Sequence, residues 1–190
     1  MGLTISYRGT LRNPNYIELF LEDVADICME IGWPYMPIHR SDIMPTQGIK
    51  ITPMGSEPIW LTFLANGRMY DPSHFIYTTR PYLEVVNEER HNWIFTKTQY
   101  AGVYTHMAII KFFRYLSAKY FEEFELHDQS QYWETDDVSV CLIRFDAFYE
   151  VLDRMADLLD SDEDMEQEEL ESDRMAEVLW RRGGLGLNPN

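Results

Sequence analysis

Residues 127 to 137, HDQSQYWETDD, gather one histidine, four carboxylates, a tyrosine and a tryptophan into eleven positions. A histidine beside a carboxylate is the raw material of general acid–base catalysis and of metal ligation. If residues 123–133 form a strand, however, Phe124, Leu126, Asp128, Ser130 and Tyr132 project to one face, and Glu125, His127, Gln129, Gln131 and Trp133 to the other. His127 and Asp128 then diverge. Asp128 is the carboxylate left to converge with a second histidine, His106, which opens a helical run and lies beside Ile110, Phe113 and Ser117 at the edge of its apolar face. His106 as base or ligand, with Asp128 orienting it, is one reading. The plainer one is a histidine bonded to a loop carbonyl under the helix.

Three further residues complete the sharper reading. Arg8 and Lys97, with Gln99, close the strands that open the two halves of the chain, and as parallel neighbours they would bring two cations to free helix N–H groups, an anion site. Paired instead with some of the many acids, they are ordinary surface cations. Tyr132 and Trp133 would wall the site, while Thr135, Asp136 and Asp137 suit the cap of a following helix. No phosphate loop, dinucleotide fingerprint, HExxH, GxSxG or CxxC pair occurs, so no metal is assigned and the cofactor is left unspecified.

These residues need a scaffold, and 190 residues with 45% hydrophobic and 14% aromatic content suffice for one core. Cys28 and Cys141 both sit in apolar runs and read as buried thiols of a reducing compartment, the cytoplasm. No leader-like or membrane-spanning apolar run appears. The net charge of −16 argues against nucleic acid. Nine of the acids crowd into 160–173, a solvated connector or a binding segment for a basic protein.

Residues 3–11 alternate as a strand. The run from Asn13 to Gly32 has a capping Asn13, Pro14 at the first helical position, a stripe of Ile17, Phe20, Leu21, Val24, Ile27, Cys28 and Ile31, and a glycine stop. The proline-rich stretch 33–47 reads as a loop. GIKIT and IWLTFLANGRMYD read as strands of a meander, with a tight hairpin turn at Asn66-Gly67. A connection over 71–92, with a short helix around 81–88, leads to the strand WIFTKTQYAG and a helix over 105–121 capped by Thr105. VSVCLIRF has strand composition, but the stripe through Phe145, Phe148 and Leu152 favours a helix over 137–160.

The order points to an α+β fold. An antiparallel or mixed sheet would carry two main helices on one face, a ferredoxin-like pseudo-repeat of strand-helix-strand units, followed by C-terminal helices. Residues 1–160 would form a single domain, and 161–190 an acidic segment with a terminal helix and a disordered tail. Two functions fit. The first is a non-enzymatic protein-binding or regulatory module, with a basic protein partner for the acidic C-terminal segment and a possible homodimer; neither nucleic acid nor membrane is expected. The second is a small hydrolase or transferase using His106, Asp128, Lys97 and Arg8 on an anionic ligand.

Overall fold

The computed structural model describes residues 3–41, 45–73 and 93–159. The short helix expected around 81–88 in the 71–92 connection, and the acidic segment with the terminal helix expected after it, lie outside them. The described part is a mixed α/β structure with two three-stranded antiparallel sheets and four helices.

The first sheet has β1 (Thr4–Leu11) at its centre, between β5 (Ile94–Lys97) and β6 (Phe121–Asp128). The second is the meander β2 (Tyr35–Ile38), β3 (Gln47–Ile51) and β4 (Ile59–Phe63). The helices are α1 (Ile17–Ile31), α2 (Val103–Tyr120), the single turn α3 (Tyr132–Thr135) and α4 (Val138–Leu159). By packing, the chain divides into one unit up to Phe148 and another from Tyr149; the strands and the polar cluster described below belong to the first.

Alternation builds the first sheet as expected. Ile5 and Tyr7 are fully buried, while Ser6 and Arg8 face outward. Tyr7 also fastens the two sheets: its hydroxyl donates to the Trp60 carbonyl at 3.1 Å and accepts from the Trp60 amide at 3.0 Å. Burial holds the phenol protonated far above its usual range, so both bonds persist at any physiological pH. At the far end of β1 the Asn66-Gly67 turn, with Gly67 at φ 80°, returns the chain so that the Met69 amide reaches the Gly9 carbonyl at 2.8 Å.

Helix α1 has the expected ends. Asn13 accepts from the Asn15 amide at 2.9 Å in a short 3-10 turn, and Gly32 closes the helix at φ 74°. Its Phe20 meets Phe63, Tyr120 and Phe121 edge-on. Asp23 fastens α1 to α2, accepting from the Tyr115 and Tyr120 hydroxyls and the Lys119 ammonium, each at 2.9 Å.

Several expectations are corrected. β1 and β5 are antiparallel, with Thr4 opposite Lys97 and Tyr7 opposite Ile94, and the strands separate into two sheets rather than one. The 33–47 loop contains β2, which tolerates Pro37 because it is an edge strand. The second arm of the Asn66-Gly67 turn forms only isolated bridges at Arg68 and Met69. Helix α2 starts at Val103 with Gly102 at its N-cap position, not with a Thr105 cap, and β6 ends at Asp128 instead of running on to Trp133. The helix favoured over 137–160 is present: residues 138–145 are helical, preceded by Asp137, whose carboxylate accepts from the Ser139 amide at 2.7 Å.

Candidate functional site

His106 and Asp128 converge. The last inward position of β6 carries Asp128, and the first turn of α2 carries His106 on the buried face. Nε2 of His106 lies 3.2 and 3.3 Å from the two carboxylate oxygens, and 2.8 Å from the hydroxyl of Ser130. On the other side of the ring, Nδ1 is 2.7 Å from the Thr98 hydroxyl. The ring edge meets Phe145 of α4 at a centroid distance of 5.3 Å.

Donor bookkeeping places a hydrogen on Nε2. Asp128 accepts from the Ser130 amide at 2.8 Å, the Ser130 hydroxyl at 2.7 Å, and the Tyr132 and Trp133 amides at 3.0 and 3.1 Å. Since the Ser130 proton points at Asp128, the Ser130 oxygen accepts, and Nε2 carries the hydrogen that faces both groups. An unprotonated Nε2 would set a lone pair against a carboxylate. The cluster therefore ties together the turn after β5, the start of α2, the end of β6 and α3.

Burial opposes ionisation of Asp128, but the hydrogen bond and charge interaction with His106, together with the Ser130 bonds, outweigh it and hold the carboxyl below its usual range. A group whose folded pKa is depressed stabilises the fold above its unfolded value, near 3.9, and loses that contribution as pH falls through the folded value. Stability should accordingly decline in acid below about pH 4, and decline less steeply in Asp128→Asn. Urea titrations of both proteins between pH 7 and pH 2.5 check this; equal slopes would refute it. Asp23 has a slope of the same sign, since burial on it is outweighed by Lys119, Tyr115 and Tyr120, and it is present in both proteins.

The short helix α3 is held over the cluster from outside. Gln131 and Asp136 flank it in the left-handed region, at φ 63° and 55°, where a non-glycine residue costs roughly 1–2 kcal/mol. The Asp128 bonds offset that strain from within. Arg114 offsets it from without, donating to the Tyr132 and Trp133 carbonyls, each at 2.9 Å, and to the Asp136 carboxylate at 2.6 Å. Tyr132 is buried and Trp133 partly so; as walls they close the cluster instead of lining an opening.

The expected cations do not join it. Lys97 points to the opposite face from Thr98 and pairs with Glu57 at 3.7 Å. Arg8 pairs with Glu125 at 2.6 Å and lies 4.6 Å above the Trp93 ring. Because Lys97 sits opposite Thr4, four residues from Arg8 along β1, the two are separated by about 13 Å, and the anticipated anion clamp is not formed. Gln99 follows in the turn after β5, partly buried.

Thr98, Ser130 and Cys141 are the members that pattern reading missed. One signal was present: Asp128-Gln129-Ser130 is an aspartate positioned to accept from the amide two residues on, a common turn device. Cys141 and Cys28 are both buried free thiols, as expected. Burial pushes the Cys28 thiol up to about 11, and pushes Cys141 up as well against a lowering contact with Ser130. Neither is an activated nucleophile.

Every side chain of the cluster is enclosed: His106, Thr98, Ser130 and Cys141 are 0% exposed and Asp128 6%. Among the described residues no group of histidine, cysteine or acidic side chains has the arrangement to hold a metal ion, and no helix is long and apolar enough to cross a membrane. No protein-family model, curated protein or solved structure matches this chain.

Proposed function

We propose that the chain is a non-enzymatic protein-binding module whose acidic surface steers it toward a basic protein partner. The observation that carries this reading is the enclosure of the His106–Asp128 cluster, in which the carboxylate accepts four protein hydrogen bonds besides its contact with His106. A network satisfied in this way rigidifies a fold and specifies its packing, and that suits a scaffold more than a reaction centre. The surface is charged in the manner of an association domain, with a net charge of −16 and nine acids between 160 and 173. On this reading the acidic segment makes the first, long-range attraction and residues 3–159 supply specific contacts, in the cytoplasm and as a monomer or homodimer.

The test is affinity capture from native extract with the full chain and with a chain lacking 160–190. A specific basic protein retained by the first and lost from the second is the expected result; equal retention of all partners counts against the reading.

The alternative, a small hydrolase or transferase with His106 as base, draws on one specific observation, the 2.8 Å contact between His106 and Ser130. It requires a substrate to reach side chains that solvent does not reach. Covalent labelling of Ser130 by a fluorophosphonate in the folded protein would favour it instead.

A further inference from the structure

The helix that lies over the buried cluster carries an inference independent of any partner. Three side chains of α4 face the cluster and its flank. Cys141 interacts with the Ser130 hydroxyl, Phe145 meets the edge of the His106 ring at 5.3 Å, and Phe148 meets Tyr100, in the turn after β5, at 6.2 Å. They recur at the four- and three-residue spacing of one helix face. The seat is narrow. Between Val138 and Phe148 only Cys141 and Phe145 are buried, while the apolar Val138, Leu142 and Ile143 are 42%, 40% and 66% exposed.

The hydrogen bonds that build the cluster come from outside α4. Asp128 receives its bonds from Ser130, Tyr132 and Trp133, and the His106 ring meets Asp128, Ser130 and Thr98. The chain is also pinned just short of the helix. Arg114 holds the Tyr132 and Trp133 carbonyls and the Asp136 carboxylate, so α3 belongs with α2. Asp137 belongs with α4, because its carboxylate caps the Ser139 amide and its carbonyl accepts from the Cys141 amide at 3.2 Å. The link from Asp136 to Asp137 separates these two sets of bonds, with Asp136 in the left-handed region at φ 55°. Exposed bonds cross it, from the Asp137 amide to the Thr135 hydroxyl at 3.2 Å and from Arg144 to Gln131 at 2.9 Å, and water replaces such bonds at little cost.

We infer that residues 138–148 of α4 form a hinged cover, which leaves the cluster by turning at Asp136 and Asp137 while the two sheets, α2 and α3 stay folded. In the open form the His106 ring and the Ser130 hydroxyl meet solvent together, still held by Asp128 and Thr98. That is the access which the hydrolase or transferase reading requires and which the closed form denies. Detaching so few buried side chains exposes far less apolar surface than unfolding the sheets, so the open form is reached at a fraction of the free energy of unfolding.

The two cysteines supply the test. Cys141 is carried by the cover, whereas Cys28 is enclosed in the main core on α1 and reports unfolding of the body. The full chain is labelled with iodoacetamide at mildly alkaline pH, across urea concentrations below the unfolding transition, and peptide mass spectrometry follows each thiol separately. Without urea, Cys141 should react at least about a hundredfold faster than Cys28. Its rate should also rise less steeply with urea, because the slope scales with the surface exposed. A conservative variant in the second sheet, Ile51→Val, then separates local opening from unfolding. It should speed Cys28 about fivefold and leave Cys141 within about twofold, since the open form keeps that sheet intact. Amide exchange reads the cluster itself: the opening constants of the Ser130 and Tyr132 amides, both bonded to Asp128, should be at least about tenfold smaller than that of Cys141. Equal labelling of the two thiols with the same urea dependence, or equal acceleration of both by Ile51→Val, would overturn the cover. Equal opening of Cys141 and of those amides would overturn an assembled cluster beneath it.

Discussion

Asp128→Ala is expected to cost about 3–5 kcal/mol of folding stability, read as a shift of the urea midpoint at pH 7 with little change in slope. The substitution removes the common acceptor of the Ser130 amide and hydroxyl and the Tyr132 and Trp133 amides, and it removes the partner of the His106 Nε2–H. Most of those donors are enclosed, those of Ser130, Tyr132 and His106 among them, so each of these is left with its desolvation penalty instead of a lost surface contact. The left-handed residues at either end of α3 lose their inner restraint at the same time. Asp128→Asn, which keeps an acceptor oxygen at the same place, should lose less. A loss below about 1 kcal/mol for the alanine variant would mean that the cluster is not the structural hub of this corner of the fold.

Gly48→Ala is expected to be at least as damaging, about 3 kcal/mol or more, and to reduce the yield of folded protein. Gly48 lies on β3, between Ile38 of β2 and Thr62 of β4, and its backbone conformation is not what requires glycine. Close approach is the reason: a Cβ there would collide with the Leu61 carbonyl and lie 2.6 Å from the Thr62 Cα. Both are backbone atoms of the neighbouring strand, so no rotamer change relieves the contact, and β4 must move off β3. Movement of β4 also loosens the Trp60 bonds to Tyr7 that join the two sheets. Thermal unfolding monitored by near-ultraviolet circular dichroism checks the prediction; a midpoint within about 2 °C of wild type would contradict it.

Local pattern was a good guide wherever one element decides its own form. The α1 helix, with its Asn13 and Gly32 ends, the meander of β3 and β4, the turn at Gly67 and the helix over 138–159 follow from periodicity and from residues with narrow backbone preferences. The short strand β2 was hidden by Pro34 and Pro37, because an edge strand tolerates what a central one does not. The site was legible in half. The outward alternation of β6 separates His127 from Asp128, and the apolar position of His106 marks it for burial. Ser130 is joined to Asp128 by the turn two residues long, but nothing local joins Thr98 and Cys141 to them, as these reach the cluster from a distant turn and a helix.

The chain by itself determined its three long helices, most of its strands, its excess of negative charge, and which side chains of most elements turn inward, since these depend on neighbours a few positions apart. Strand direction was decided only by the tertiary structure. β1 and β5 have the same alternation whether they run parallel or antiparallel, and only their packing selected the antiparallel register that places Lys97 opposite Thr4 and away from Arg8. The same long-range choice turned a candidate anion clamp into two separate surface ion pairs, brought His106 to Asp128, and left β6 at the edge of its sheet. Contacts between residues far apart in sequence are set by the simultaneous burial of many apolar faces, and no single segment encodes that sum.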